Sequence, residues 1–429
     1  MSGIAENRLS DGSPVTWPSS WRAAPLWSMF ERVKDIDHPD EALLSVYREH
    51  GVVKREGRDD NFNKAALDRS IYQLVHPGWL VVNRMKAWQG AVGISPFRGI
   101  VSGHYICFRP THGEEPRFLN WLFRSGVYTA EFASLSRGVR PNQVEIDNDW
   151  LRSLKVMLPL CEEQRRIADF LDAETARIDQ IVTLLRVLAD RLSERENAVR
   201  DGLVEALFEA EGTVPLRRFT TRIEQGESPQ CDAVPRQHPN DWGVLKLSSV
   251  KRGRFIAVEH KRLPDGVTPN SSYLIKRGDL LVTRANTPNL VGDVAVVGDE
   301  VERLLLPDLI YRVGLAEDVS ADFIAQVGLS GRVRSFIESV ARGSSQSMVK
   351  LRGEDIKAWP VPRASRDQQM KLVREVDESA ASTARLIDLV RHQLHLLAER
   401  RQALITAAVT GQFDVSTASG RNVTDGVTV

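Results

Sequence analysis

The sequence predicts an α+β protein in which two pseudo-repeated mixed α/β parts are separated by two long helices that pair as an antiparallel coiled coil. Three observations predict this architecture. The chain repeats itself at a fixed offset, and each copy ends in a long segment with a narrow apolar seam. The parts before these segments contain short Val-rich runs that alternate as strands do.

The composition is that of a globular protein. The chain has 429 residues, in which 57 Lys and Arg balance 57 Asp and Glu. This length fits two or three domains, and 42% hydrophobic with 27% charged residues argues against wholesale disorder. The three cysteines are far apart, so neither a zinc ribbon nor a disulfide framework is expected. Because no signal-peptide pattern and no run of 18 apolar residues is present, we expect a cytoplasmic protein.

An internal repeat covers most of the chain. Pairs at an offset of 205 residues include Gly138 and Gly343, Gln164 and Gln369, Asp172 and Asp377, and Ala198 and Ala403. Upstream, the run from Gly78 to Arg84 recurs from Gly278 to Arg284, and weaker matches join Pro25-Leu26 with Pro215-Leu216 and Gly51 with Gly253. Two copies of this length indicate a duplicated module, since a solenoid needs many short repeats.

The repeat and the composition divide the chain into six segments. We expect a disordered N-terminus (1–14), a first globular part (15–160), a helix (161–212), a second globular part (213–364), a second helix (365–414) and a disordered tail (415–429). Strands are expected within 78–93, 243–250, 279–284 and 292–297, and helices over 118–135 and 321–341.

The first long segment is predicted to be one helix because no proline falls between Pro159 and Pro215. The seam residues expected to pair the two helices are Ile167, Leu171, Ile178, Leu185 and Leu192 in the first, and Leu372, Val376, Leu386, Val390 and Leu397 in the second. Ile181 and Leu188 complete the alternation in the first helix. Alternatively, each helix only covers its own globular part, but the seam is too long for one small domain to cover.

Motifs of the common catalytic sites are absent from the sequence. It has no GxxxxGK[ST] phosphate loop, no GxGxxG after a strand, no HExxH and no nucleophile elbow. Its nine histidines are scattered, without cysteine or acidic partners at metal-ligand spacing. These observations favour a binding protein with no active site and no metal of its own.

Two strings identify a family that the chain resembles. The first copy has PLCEEQRRIADFLD, a long heptad helix and then ERENAVRDGL, and the second has RDQQMKLVREVDESA and then ERRQALITAAVTGQF. This duplicated plan resembles the specificity subunits of type I restriction–modification enzymes. Departures lie at the helix starts: Pro159-Leu160-Cys161 stands where the family has a double proline, and Asp367-Gln368-Gln369 where Glu-Gln is usual.

The resemblance implies a non-catalytic DNA reader. The globular parts would be two target recognition domains, each reading one half of a split, asymmetric site in double-stranded DNA. The helices would space them and dock two modification (methyltransferase) subunits that bring S-adenosylmethionine. Restriction subunits with ATP and Mg would join that core, so no cofactor is expected on this chain. The rival interpretation is a coiled-coil scaffold with two divergent domains and no DNA role.

Candidate DNA contacts are clusters that combine a cation with amide, hydroxyl or aromatic groups after a strand or helix. In the first part they are Arg84, Lys86, Trp88 and Gln89, then Arg137, Arg140, Asn142 and Gln143. In the second they are Arg284, Asn286, Thr287 and Asn289, then Arg342, Ser344, Ser345 and Gln346. Because Arg84 and Arg284 occur in both copies, they are expected to serve the common fold or a phosphate.

The zero net charge is unevenly distributed. Residues 1–160 carry 20 basic and 18 acidic side chains, and residues 213–362 carry 21 and 18. Residues 161–212 carry 7 basic and 13 acidic ones, so the first long helix is acidic. An acidic helix suits a protein partner better than a phosphate backbone. We therefore expect weak DNA binding by the isolated chain, with docked partners supplying much of the phosphate contact.

Overall fold

The computed structural model describes residues 15–55, 69–138, 144–232, 234–238, 240–298, 301–345, 348–412 and 414–415, with only the backbone of 342–345. Its contacts divide the chain into two units, one of residues 1–185 and 392–429 and the other of residues 186–391. Each unit therefore contains one globular part and a portion of each long helix. The termini predicted to be disordered lie outside the described residues, except for Val415.

The first unit contains twelve strands and the helices α1–α4 among its described residues, followed by the start of α5. Its strands are β1 (Arg22–Pro25), β2 (Phe30–Val33), β3 (Leu44–Tyr47), β4 (Gly51–Lys54), β5 (Gln73–Val75), β6 (Leu80–Asn83), β7 (Val92–Ile94), β8 (Gly99–Val101), β9 (Tyr105–Pro110), β10 (Ser136–Arg137), β11 (Glu145–Ile146) and β12 (Lys155–Leu158). Its helices are α1 (Leu26–Met29), α2 (Pro116–Arg124), α3 (Gly126–Ser134), α4 (Asn148–Ser153) and α5 (Cys161–Glu211).

A four-stranded antiparallel sheet in the order β2-β9-β6-β7 is the centre of the first unit. Alternate residues of β6 enter two different cores: Leu80 and Val82 join the core that contains the aromatic residues of α2 and α3, whereas Val81 joins a core with Val46 and Val101. Side chains of a strand alternate between the two faces of its sheet, so this sheet is buried on both faces.

The second unit repeats this plan. Its strands are β13 (Thr213–Pro215), β14 (Thr220–Gln225), β15 (Gly243–Leu245), β16 (Val250–Lys251), β17 (Arg254–Phe255), β18 (His260–Arg262), β19 (Leu280–Thr283), β20 (Ala285–Asn286), β21 (Val294–Val296), β22 (Leu304–Leu305), β23 (Ile310–Leu315), β24 (Arg342–Ser345), β25 (Met348–Lys350) and β26 (Pro360–Pro362). Its helices are α6 (Ala321–Gly328), α7 (Gly331–Val340), α8 (Gly353–Lys357) and α9 (Arg366–Val409).

The central sheet of the second unit has the order β14-β23-β19-β21. It matches the order in the first unit strand for strand, with β19 in the place of β6. Its alternation is also the same, because Leu280 and Val282 enter one core and Leu281 enters another. The glycine before each of these strands has a positive φ, +87° at Gly78 and +84° at Gly278, which explains why glycine recurs there.

Each helix predicted before the long helices is in fact two helices. Residues 118–135 are divided into α2 and α3 at Ser125, and residues 321–341 into α6 and α7 at Ser330. Both serines have extended backbone, at ψ 158° and 151°, and each hydroxyl donates to the carbonyl three residues earlier. Serine competes with the helix for backbone hydrogen bonds, which favours a break at these positions.

The long helices have close to the predicted bounds, and part of the predicted seam is buried. In the first unit, one core contains Ile167, Leu171 and Ile178 of α5 together with Leu404 and Ala408 of α9. In the second unit, one core contains Val204 and Phe208 of α5 with Leu372 and Val376 of α9. Val390 is buried as well, whereas Leu185, Leu192 and Leu397 are half-buried.

The second row of the predicted seam is correct only at its start, where Ile167 and Leu372 are buried, and wrong further along both helices. Leu386 is 42% exposed, and Ile181 and Leu188 are 40% and 46% exposed. The buried or half-buried positions are one residue later, at Val182, Ala189 and Ile387. In α5 this row also contains Thr175, which is 4% exposed. Small and polar residues occupy part of the row that is buried. The larger side chains beside them therefore predict the wrong row as buried, which shifts the predicted register by one residue.

Candidate nucleic-acid interface

The structure places the first predicted cluster of the first unit near Arg137, the described member of the second cluster. The backbone N–H of Ile146, in β11, donates to the carbonyl of Arg84 at 3.1 Å, so the turn after β6 lies beside β11. Strand β10 pairs with β11 in antiparallel register, with Arg137 opposite Glu145. Residues far apart in sequence, 84–89 and 136–137, therefore meet at this short ribbon.

A row of charged and aromatic side chains follows this ribbon. The Arg84 guanidinium contacts the Glu145 carboxylate at 2.9 Å, with both side chains nearly half exposed. The Arg137 guanidinium lies 3.7 Å from the ring centroid of Trp150, which is 42% exposed. Asp147 caps α4 by accepting hydrogen bonds from the backbone N–H groups of Asp149 and Trp150. The cap therefore positions the indole under the guanidinium.

The turn that follows β6 is held by its own side chains. Asn83 Oδ1 accepts from the N–H groups of Met85 and Lys86, and the Trp88 indole N–H donates to the Met85 carbonyl at 3.1 Å. Trp88 is thus half-buried with its polar atom engaged, whereas Lys86 and Gln89 are exposed. Of these predicted contacts, Lys86 and Gln89 can approach a ligand freely, and Trp88 supports the turn.

The second unit brings its predicted clusters together in the same way. Strands β20, β25 and β24 form one sheet, with Asn286 opposite Val349. Thr287 and Asn289 are exposed in the loop after β20, and the Arg334 guanidinium donates to the carbonyl of Asn289 at 3.2 Å. The backbone of Arg342, Ser344 and Ser345 forms β24 at the edge of this sheet. Arg140, Asn142, Gln143 and Gln346 lie outside the described residues.

Arg84 and Arg284 have one structural role in common. The Arg84 carbonyl accepts from Ile146, and the Arg284 carbonyl accepts from the N–H of Leu351 at 2.9 Å. Ile146 and Leu351 are themselves separated by the repeat offset. The backbone at each position thus ties the end of a central strand to the segment before a short helix. Because any residue supplies this carbonyl, the role of the repeated arginine side chains in the common fold or at a phosphate stays a prediction. The side chains differ, since Arg284 donates weakly to the Asp308 carbonyl at 3.4 Å.

Sequence reasoning missed Glu145 and Trp150. Neither belongs to a recognisable motif, and the proximity of Trp150 to Arg137 depends on β10–β11 pairing across a gap of seven residues. No set of three or more metal-ligating side chains occurs within the described residues. Nor does any helix in the described part of the chain have the length and apolar character of a membrane span.

Comparison with known protein families finds a match within the first part of the chain. Residues 53–186 match the family described as "Type I restriction modification DNA specificity domain". Over these residues the chain is similar to type I restriction–modification DNA specificity domains. The resemblance to type I specificity subunits is thereby confirmed. The matched residues contain most of the described site in this unit, including the β6 turn, the β10–β11 ribbon and α4.

One curated protein and two solved structures are similar to this chain. The specificity subunit of the type I restriction enzyme EcoEI from Escherichia coli is 28% identical over 186 residues, which are 42% of this chain and 31% of that protein. The alignment thus spans less than one third of that relative. A structure described as "Structural basis underlying complex assembly and conformational transition of the type I R-M system" covers 93% of this chain and 100% of its own, with 14% identity and a TM-score of 0.62, and shares the fold. The HsdS subunit from Thermoanaerobacter tengcongensis covers 93% of this chain and 99% of its own, with 15% identity and a TM-score of 0.46.

Proposed function

We propose that this chain is the sequence-specific DNA-binding subunit of a type I restriction–modification complex and that it reads a bipartite, asymmetric site. The single observation that carries the proposal is the duplicated site. Both units place a turn after the third strand of the same sheet order beside a short ribbon or sheet edge. The side chains offered there differ, with Lys86 and Gln89 in the first unit and Thr287 and Asn289 in the second. Since bases are read by side-chain chemistry, the two half-sites differ.

The long helices are proposed to pair as an antiparallel coiled coil that sets the gap between the half-sites. Contacts within each unit support this arrangement. In the first unit, Arg401 of α9 lies 3.6 Å from Asp179 of α5, and in the second unit Gln368 donates to Glu211 at 2.6 Å. The order of these contacts runs in opposite directions along the two helices, as antiparallel pairing requires.

Two modification (methyltransferase) subunits are proposed to dock on these helices, and restriction subunits join through them. The acidic excess of residues 161–212 supports a protein partner on this surface. In this proposal the chain is non-catalytic, works in the cytoplasm and binds no cofactor. S-adenosylmethionine, ATP and Mg belong to the partner subunits.

Methylome sequencing combined with gel shift tests the proposal. A strain that expresses this chain with its methyltransferase subunits should gain methylation at one split motif, and the motif should disappear when only this chain is deleted. The purified assembly should shift a duplex with that motif and not a scrambled one. A methyltransferase-free scaffold would show neither result and would still bind protein partners in a pulldown, which would favour the rival interpretation.

A further inference from the structure

The first unit contains a filled acidic site between α2 and α5. The Arg117 guanidinium lies 2.7 Å from Asp169 and 3.1 Å from Asp172. The Trp121 indole N–H donates to the second oxygen of Asp172 at 2.8 Å. Hydrogen bonds from Arg117 to Asp169 and Glu115 raise the pKa of the arginine. Both carboxylates of α5 are thus neutralised from within the unit.

The matching place in the second unit has the opposite arrangement. At the offset of 205 residues, Asp322 replaces Arg117, Gln326 replaces Trp121 and Arg374 replaces Asp169, while Asp377 matches Asp172. A cavity of about 510 Å³ is present here between the start of α6 and the start of α9. Its lining residues are Ser320, Asp322, Met370, Val373, Arg374, Asp377, Glu378 and Ala381. The guanidinium and the indole that fill the site of the first unit thus have no counterpart at positions 322 and 326, and an open pocket is present there.

The pocket has an excess of negative charge. Three carboxylates, from Asp322, Asp377 and Glu378, face one guanidinium, from Arg374. Within the described residues none of the four makes a hydrogen bond or an ion pair through its side chain. Burial and the neighbouring Asp322 raise the pKa of Asp377, as expected for carboxylates that lack a cation. The aspartate that occurs in both copies thus has an ion-pair partner in the first unit, whereas in the second unit it has none within 4 Å among the described residues.

The side chains that line the pocket limit which class of ligand can bind there. DNA phosphate is excluded by the negative charge. A metal ion is disfavoured because no group of three metal ligands is present among the described residues. Met370, which is 51% exposed, and Val373 provide apolar surface beside the carboxylates. A long aliphatic stem that ends in a planar cation matches both features, and a guanidinium can bridge two carboxylates.

We propose that this pocket receives an arginine side chain from a protein partner that docks on the start of α9. The incoming guanidinium takes the place that Arg117 occupies in the first unit. Assignment of that partner as a modification subunit rests on the proposed function, whereas the pocket itself does not depend on DNA reading.

The first experiment tests the pocket directly. Full-length chain labelled with ¹³C-methyl methionine is titrated with N-acetyl-arginine amide at low salt, and the Met370 signal is assigned with Met370→Leu. We expect a saturable shift of the Met370 methyl group, with none from the neutral isostere N-acetyl-citrulline amide. Asp377→Asn should weaken the response at least tenfold, and Asp388→Asn, an exposed carboxylate outside the pocket, should leave it unchanged. Equal responses to both probes, or no response, would overturn the proposal.

The second experiment fills the pocket with side chains of this chain itself. Asp322→Arg combined with Gln326→Trp and Arg374→Asp copies the arrangement of the first unit, and circular dichroism checks its fold. We expect this variant to lose the Met370 response and to bind the methyltransferase subunit at least tenfold more weakly by native mass spectrometry. DNA binding by the isolated chain should be unchanged. If the wild-type chain binds neither DNA nor that subunit, the proposed function fails while the arginine titration still decides the pocket. Unchanged assembly by the filled variant would refute docking through this pocket.

Discussion

Gln164 accepts a hydrogen bond from the backbone N–H of Glu115 at 2.9 Å, and Gln369 accepts one from Ser320 at the same distance. Each amide also donates to the carbonyl five residues before it, at 2.9 Å from Gln164 and 3.1 Å from Gln369. Both side chains are almost fully buried. A single glutamine in each copy thus joins the start of a long helix to the start of a helix of its globular part, α2 in the first unit and α6 in the second.

Replacement of this glutamine should destabilise its unit. In Gln369→Ala, the Ser320 N–H and the Asp318 and Ala364 carbonyls lose their partner in a buried site. The expected loss is about 1–3 kcal/mol in the free energy of unfolding. Urea denaturation measures it, with the exposed Gln402→Ala as the control. A difference of less than 0.5 kcal/mol between the two variants, roughly the size of an ordinary surface effect, would contradict this role.

The Arg137–Trp150 stack should matter for DNA binding. Arg137→Ala should cost about 1–3 kcal/mol on the specific duplex if the guanidinium reads a base. Trp150→Ala should cause part of that loss because the guanidinium is no longer held over a ring, and Trp150→Phe should restore most of it. Fluorescence anisotropy on specific and random duplexes distinguishes a base contact of Arg137 from a phosphate contact. Equal losses on both duplexes would assign Arg137 to phosphate.

The Asp377 carboxyl should make stability depend on pH. Because its pKa is raised in the folded state, the ionised form is disfavoured by folding, and stability rises as the pH falls through that pKa. Asp377→Asn should therefore have a slightly higher Tm than the wild type at pH 7. This gain should shrink on acidification and vanish below the ordinary Asp pKa of 3.8. A Tm difference that stays constant with pH would show that the effect is not electrostatic.

The helices should act as a ruler for the DNA gap. Insertion of seven residues into the middle of both α5 and α9 keeps the heptad register and lengthens each helix by roughly 10 Å. At about 3.4 Å per base pair, the gap should grow by roughly three base pairs with unchanged half-sites. Methylome sequencing measures both the length of the gap and the sequences of the half-sites. An unchanged gap, or altered half-sites, would refute the hypothesis that the length of the helices sets the gap.

The isolated chain should bind DNA with a shallow salt dependence. Its globular parts have small basic excesses, and the slope of log K against log salt counts the phosphates neutralised. The slope should steepen when the methyltransferase subunits are bound. Titrations at several salt concentrations compare the two states, with a scrambled duplex as the control. Equal slopes would mean that this chain alone supplies the phosphate contacts.

The sequence predicted the duplication and the long helices, because glycines, strand alternation and proline-free runs are local signals. It did not predict that the clusters of each part lie close together, since that depends on tertiary pairing. It did not predict the true second row of the helix seam, since Thr175 and Ala189 there are outweighed by Ile181 and Leu188 in any hydrophobicity pattern. The breaks at Ser125 and Ser330 were missed because a single serine is tolerated in most helices. Trp150 was missed since its partner Arg137 is a tertiary neighbour.

The first and last strands of each globular part lie side by side, β1 with β12 and β13 with β26. In each case the residue after the first strand also donates to the carbonyl before the last, from Leu26 to Leu154 and from Leu216 to Trp359. The chain therefore enters and leaves each globular part through two strands that are paired with each other. A gene fragment that encodes the residues between these two strands could be exchanged by recombination for a different one. The exchange would give a new DNA preference and leave the long helices unchanged.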